Sequence, residues 1–288
     1  MDCPICASAA RPWAAHPEVE LFRCTACGHA FSRLRPGVAA EPYDADYFEA
    51  THRNWFQHPN RPLFERIAER LRLEPRPLAV IDVGCGNGAF LRYLAASGGP
   101  WTELVGLDIV ANAPERGIEF VQADAIEAPV GRRFGAVVSL AVIEHIADVR
   151  AFARRLRELV DPGGLVVVMT INDSSLIYAL ARALRLFGFR LAFDRLYSRH
   201  HLHHFTQGSL ASLLEGAGLL VEETIFHNAP LRAIDMPAAS PVVAAGMRLG
   251  VAGLFALGAM TGRTYLQTAI CRAGARHDGA SPAAVSNS

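Results

Sequence analysis

From residue 61 to residue 171 the apolar positions switch repeatedly between two patterns. Arg61 to Leu73 sets Leu63, Phe64, Ile67, Ala68 and Leu71 on one stripe, the spacing of a helix with one buried face. Leu78, Val80 and Ile81 then form the apolar run expected of a parallel strand buried on both sides. Ala89 to Ala96 has helical composition, residues 103–109 (ELVGLDI) give a second strand, Ile118 to Gln122 a third, and Phe134 to Leu140 a fourth. Val149 to Val160 returns to helical spacing, with Val149, Phe152, Leu156 and Leu159 on one face. Asp161-Pro-Gly-Gly is expected to turn the chain into a fifth strand, Leu165 to Ile171. Strands and helices alternating at these lengths predict an α/β fold with a doubly wound sheet. Ligands of such sheets bind at the carboxyl ends of the strands.

Outside that core the pattern changes. Residues 1–31 hold two cysteine pairs, and residues 32–60, with Pro36, Gly37, Pro42 and Pro59, read as a connector. The connector carries YDADYF (Tyr43 to Phe48), whose aromatic side chains are expected to pack it onto the main domain. The main domain is expected over 61–273. Within it, 173–205 forms a cap containing one helix, Leu176 to Phe193, with Arg182, Arg185 and Arg190 on one face. Thr206 reads as the N-cap of the next helix. An apolar insertion, 231–262, reads as a hairpin before a last strand at Thr264 to Cys271. Pro241 to Met260 is broken by Arg248, so neither apolar stretch reaches the ~18 uninterrupted residues of a membrane-crossing helix. An interfacial patch serving a lipid-linked acceptor is the rival reading. Residues 274–288 have the composition of a disordered tail.

Composition narrows the partners. The chain has 288 residues, 28 basic and 28 acidic, so no net field draws it to nucleic acid. No basic segment followed by an apolar one opens the sequence, and a cytoplasmic location is expected. Six cysteines without an export signal favour thiols or metal over disulfides. Cys3 and Cys6 form C-P-x-C, Cys24 and Cys27 form C-x-x-C, and the 17 residues between the pairs suit a zinc ribbon holding structural Zn²⁺. A segment this small builds little core of its own without metal.

The stretch with most chemical content is VIDVGCGNGAF, Val80 to Phe90. A strand runs into Asp82, then Gly84, Gly86 and Gly88 alternate and a helix begins, so bare backbone and free N–H groups face a ligand. Asp108 closes the second strand 20 residues beyond Gly88, where a carboxylate can bind both hydroxyls of a ribose.

Together these motifs resemble the class I S-adenosylmethionine-dependent methyltransferases over roughly residues 75–275. The matching stretches are VIDVGCGNG, GLD, QAD, FGAVVSLAVIEHIAD and HHFTQGSLASLLEGAGL with VEETIF. The resemblance implies a Rossmann-like sheet, mostly parallel with an antiparallel last strand, and S-adenosylmethionine as methyl donor. It would place the methionine end of the cofactor against Asp82, Gly84 and Gly86, the ribose on Asp108 and the adenine amino group on Asp124. Gly88, Ala125 and Leu140 would complete the cofactor site. The chain departs from the family at Gly135, where many relatives carry Asp, and in lacking a full crossover helix between Val110 and Gly117. The first 60 residues are similar to bacterial zinc-ribbon methyltransferases of glycan and secondary-metabolite pathways.

Methyl transfer to a hydroxyl needs alignment and a base, and histidine is suited to that work near neutral pH. His145, just after the fourth strand, and the His200–His204 cluster are the sources, with His145, His201 and His204 as candidate catalytic residues. The expected activity is methylation of a small-molecule acceptor, at an oxygen of a sugar, lipid-linked glycan or secondary metabolite. The alternative is an rRNA base methyltransferase that reads RNA through the zinc module. Zero net charge and the Glu144-His145 pair argue against it.

Overall fold

The computed structural model describes residues 1–39, 53–234 and 240–274. The Tyr43–Phe48 cluster and the tail beyond Gly274 lie outside those residues. The core is a seven-stranded sheet formed by β4 (Leu78–Val83), β5 (Trp101–Asp108), β6 (Glu119–Gln122), β7 (Phe134–Leu140), β8 (Val160–Ile171), β10 (Leu219–His227) and β11 (Leu266–Ala273). Its order is β10-β11-β8-β7-β4-β5-β6. β4, β5, β6, β7 and β8 pair in parallel, whereas β11 is antiparallel to both of its neighbours. The order reverses between β5 and β7 on either side of β4, and that reversal opens the crevice in which such sheets bind ligands.

The helices follow from their stripes. α2 (Arg61–Arg72) buries Leu63, Phe64, Ile67, Ala68 and Leu71, and its first turn is capped by the Asn60 side chain. α3 (Ala89–Ser97) buries Phe90, Leu91 and Leu94. α4 (Val149–Leu159) buries Val149, Phe152, Ala153, Leu156 and Leu159, and the Asp148 carboxylate accepts the Ala151 N–H at its N-cap. α7 (Gln207–Gly216) opens on a capping box, Thr206 with Ser209, at the N-cap the sequence predicts. A short α1 (Arg53–Gln57) precedes α2.

The amino-terminal module adds β1 (Ala10–Ala15), β2 (Val19–Cys24) and β3 (Ala30–Leu34), an antiparallel sheet. A fourth strand, β9 (His203–His204), comes from the cap and pairs antiparallel with β3. The module is therefore one sheet with the acceptor-side cap.

Three expectations are corrected. Leu176 to Phe193 is not one helix: α5 (Leu176–Leu186) stops, Gly188 takes φ 88°, and α6 (Leu191–Leu196) starts in a new direction. Asp161 to Gly164 is not a turn ahead of the strand; it lies within β8 as an irregularity opposite Phe134 to Ala136, with Gly163 at φ 75°. The 231–262 insertion is not a hairpin. It is a 21-residue helix, α8 (Pro241–Thr261), capped by Ser240 and ended by left-handed Gly262. No charged residue other than Arg248 and no proline after Pro241 interrupts it, and Val242–Thr261 is long and apolar enough to cross a membrane by length and composition.

Candidate active site

The site is built at the carboxyl ends of β4, β5 and β7. Gly84, Gly86 and Gly88 all have positive φ, at 74°, 54° and 77°. The Gly84 and Cys85 N–H groups donate to the Leu107 carbonyl, which ties the turn to the neighbouring strand. A Cβ on Gly84 would lie 2.3 Å from Val142, and one on Gly86 would lie 2.8 Å from the Phe56 ring. A Cβ on Gly88 would lie 2.9 Å from Phe120, so the turn is closed to any side chain and Val142, Phe56 and Phe120 are its covers.

Asp82 is buried, and its Oδ1 has no hydrogen-bond partner among the described residues. Burial, reinforced by the Asp108 charge, pushes its carboxyl up to about 8. A buried carboxylate oxygen without a donor is a place for a cationic ligand group. Asp108 sits 8% exposed at the end of β5. Its Oδ2 accepts the Gly86 N–H at 2.8 Å and its Oδ1 accepts the Val110 N–H at 3.0 Å. Burial raises its carboxyl, while those N–H groups pull the other way. Asp124 is exposed after β6, and its Oδ1 accepts the Ile126 and Glu127 N–H groups. Ala125 beside it and Leu140 at the end of β7 are half-buried.

Across the crevice the chain leaves β7 through Ala141 at φ 59°, and Val142 rests on Gly84. A 3-10 turn, Ile143–His145, then presents Glu144 and His145. Glu144 is buried, its Oε2 accepts the Thr170 hydroxyl at 2.8 Å, and burial pushes its carboxyl up to about 7. The His145 Nδ1 lies 2.6 Å from the His200 carbonyl oxygen. A carbonyl only accepts, so Nδ1 carries the proton in that bond. The His201 ring stands 5.0 Å from that of His145, and one ligand atom from each of Glu144, His145 and His201 fits within 4.8 Å of the others. Val142, which directly precedes the 3-10 turn, is the residue packed on Gly84, so the trio follows in the chain from the cover of the glycine turn.

His204 lies behind the trio. It is fully buried, its ring is 4.4 Å from that of Tyr197 and 6.3 Å from that of His201, and burial holds it well below the ordinary imidazole range. Its neighbour His203 meets His29 of the module at 3.1 Å, and Ser32 Oγ donates to the His201 carbonyl at 2.9 Å.

Several residues of the site carry no motif. Asn112 braces the turn by donating to the Gly86 carbonyl at 2.8 Å. Asp173 is buried among Arg23 at 3.2 Å, Arg182 at 3.1 Å and the Tyr197 hydroxyl, which joins the module to the cap. Tyr178 stacks on Tyr265, which stacks on Phe255 of α8.

The four cysteines converge. Cys3 and Cys27 Sγ are 3.6 Å apart, Cys6 and Cys24 Sγ 3.5 Å apart, and all four lie within 4.8 Å of one another. A tetrahedron of thiolates at the Zn–S distance has edges of about 3.8 Å. The Ile5, Ala26 and Cys27 N–H groups point at Sγ atoms of Cys3 and Cys24, as expected around thiolates. Arg150 of α4 fixes the first knuckle by donating to the Pro4 and Ile5 carbonyls.

The methyltransferase domain family matches residues 50–224. The chain is 39% identical over 115 residues to the ubiquinone biosynthesis O-methyltransferase of Azorhizobium caulinodans, covering 36% of this chain and 44% of that protein. It is 34% identical over 174 residues to the ubiquinone biosynthesis O-methyltransferase of a Methylobacterium strain, covering 54% of this chain and 67% of that one. The chain thus spans about half to two thirds of the curated relatives it matches. Among solved structures, the Burkholderia thailandensis 1,6-didemethyltoxoflavin-N1-methyltransferase, which holds S-adenosylhomocysteine, shares the fold. Its TM-score is 0.52 at 15% identity, over 90% of this chain and 100% of that one.

Proposed function

Because the chain belongs to the class I S-adenosylmethionine-dependent methyltransferase family, we propose that it transfers a methyl group from S-adenosylmethionine to an oxygen of a small-molecule acceptor. The observation that carries this reading is the unpartnered, buried Asp82 oxygen beside the closed glycine turn, opposite the Glu144–His145–His201 trio. Bound there, S-adenosylmethionine supplies a methyl group already activated on a sulfonium. Asp82 would accept from its ammonium group, the backbone of Gly84 to Gly88 would hold its methionine end, Asp108 would take the ribose hydroxyls, and Asp124, Ala125 and Leu140 would hold the adenine.

On the acceptor side, His145 Nε2 takes the hydroxyl proton, and the Nδ1–H···O=C bond to His200 holds the ring in that tautomer. Glu144 stands within reach of the resulting imidazolium. His201 closes the other side, and His204 supports it from behind. The names of the two relatives support oxygen as the receiving atom, and a sugar, a lipid-linked glycan or a secondary metabolite fits a hydroxyl acceptor. The four thiols hold structural Zn²⁺ in this reading, at a fixed place on α4.

Isothermal titration with S-adenosylmethionine tests the donor half: saturable binding that Asp108→Ala weakens strongly is expected, and no binding, or binding indifferent to Asp108→Ala, refutes it. Feeding methyl-labelled cofactor with cell extract tests the acceptor half. A product heavier by one methyl is expected from the native chain, and from His145→Ala far less of it. Label recovered only in RNA refutes the small-molecule acceptor.

A further inference from the structure

Two apolar surfaces stand apart from the core and from the site. On α8, Val242, Val243, Leu249, Leu257 and Met260 are exposed, Leu249 to 75% and Met260 to 84%. At the corner between α5 and α6, Leu186, Phe187, Phe189 and Leu191 are exposed, each above 60%. The two belong together: α5 packs on α8, and the Leu176 N–H at the start of α5 donates to the Arg263 carbonyl just past the end of α8. Exposed apolar area of this extent on a folded chain marks an interaction surface.

Charge identifies the partner. Residues 176–193 contain Arg182, Arg185 and Arg190 and no Asp or Glu; residues 236–277 contain Arg248, Arg263, Arg272 and Arg276 and again no Asp or Glu. Arg182, Arg190 and Arg272 are held by Asp173, by Asp194 and by Glu74 with Glu222, which leaves Arg248 on α8 and Arg263 just past it as the exposed cations among these apolar residues, and they complement an anionic lipid surface. A twofold pairing of α8 on itself would set Arg248 and Arg263 against their copies with no carboxylate on that helix between them. Nor can α8 cross the bilayer. β10 and β11 are neighbours, with His227 opposite Leu266, so the insertion leaves and re-enters the fold at one place. From Ile234 to Pro241 the chain reaches at most about 25 Å, less than the roughly 30 Å of hydrocarbon.

We propose that α8 and the α5–α6 corner dock this protein onto a bilayer containing anionic lipid, with α8 lying in the headgroup plane. Docking goes beyond the methyl-transfer reading and does not depend on it. The face is joined to the acceptor side of the site through Phe255, Tyr265 and Tyr178, so a docked molecule keeps that wall close to the lipid.

Flotation of the full chain with vesicles of phosphatidylcholine, alone or mixed with phosphatidylglycerol, tests the proposal. Binding to the mixed vesicles is expected, with Arg248→Glu weakening it at least about fivefold. The exposed pair Leu249→Glu/Met260→Glu is expected to abolish flotation while S-adenosylmethionine affinity and the circular dichroism spectrum stay unchanged. Absence of flotation by the native chain, equal flotation of the double variant, or equal binding to neutral vesicles overturns the proposal. A lipid-free dimer that the double variant dissolves overturns it too, and assigns the face to a second copy.

Discussion

Cofactor binding should release a proton, and the amount follows from Asp82. Its carboxyl, held at about 8 by burial and by the Asp108 charge, is ~90% protonated at pH 7 in the free protein. An ammonium group placed on its unpartnered Oδ1 favours the ionised form and expels that proton. The ligand's own amino group, with the ordinary α-amino value near 8, takes up only ~0.1 proton at pH 7 on becoming fully charged. The net release is then about 0.8 proton. By linkage, affinity should rise about fivefold from pH 6.5 to pH 7.5, then level off as the ligand's amine begins to lose its charge. Titration calorimetry at pH 7 in phosphate and in Tris reads the release directly, since the apparent enthalpies differ by the protons transferred to buffer. Asp82→Asn removes both the buffer dependence and the rise with pH. It also removes a charged hydrogen bond, at a cost of about 2–3 kcal/mol or roughly 30- to 150-fold in affinity. Asp108→Asn lowers affinity but leaves a clear buffer dependence, because Asp82 remains. Identical enthalpies in the two buffers for the native chain would refute the reasoning.

Other outcomes follow from the same geometry. Gly86→Ala combines a left-handed backbone with a Cβ 2.8 Å from the Phe56 ring, so it should weaken cofactor binding by at least ~1–2 kcal/mol, read by the same titration. Chelating the metal, or Cys24→Ser, should leave the dissociation constant for S-adenosylmethionine within a few-fold while product formation collapses, since the module pairs with β9 and not with the glycine turn. His203 is held down to about 4, against 6.5 for an ordinary imidazole, by burial. Its contribution to stability is whole above pH 6.5 and is lost as pH falls through about 4, so the unfolding midpoint should drop across that window, and less steeply in His203→Gln. Glu144 runs the other way. With its carboxyl raised from 4.5 to about 7, its contribution is whole below 4.5 and is lost as pH rises through 7, a slope that Glu144→Gln should flatten in thermal melts.

Much of the sheet could be read directly. β4, β5, β7 and β8 are inner parallel strands, so their apolar runs are nearly unbroken, whereas β6 is a half-exposed edge strand; the ends fall within about five residues of the expected ones. The same holds for the donor half of the site, because Asp82, the three glycines and Asp108 lie close together in sequence around a single turn. The acceptor half is assembled from distant segments. Glu144 meets His201 across more than fifty residues, and Arg23 meets Asp173 across 150. No local pattern encodes such meetings. α8 was misread for a different reason. The apolar run is broken only by Arg248 and reads as a hairpin, yet Arg248 sits exposed within one continuous helix, and of the glycines at 246, 250, 253 and 258 all but Gly258 have open space where a side chain would stand. Gly258 is packed on the backbone of Arg263, 2.7 Å from where its Cβ would lie.

The module, the cap and the site are one mechanical unit, coupled through β9. Two residues cannot hold a strand by themselves, so the position of His203 and His204 is imposed from outside. It is imposed by β3 through paired backbone, by His29 through the His203 ring, and by Ser32 through the His201 and Leu202 carbonyls. The Leu202 N–H in turn donates to the Glu144 carbonyl at 2.8 Å, and the His200 carbonyl fixes the His145 ring. A shift of β3 is therefore passed to both Glu144 and His145 within two residues. What keeps β3 in place is the cysteine cluster at the start of that strand, where Cys24 ends β2 and Cys27 stands three residues before Ala30, pinned to α4 by Arg150. Metal binding in such a module is folding energy. In the proposed reading that energy would be passed through β3 and β9 to the backbone that holds Glu144 and His145.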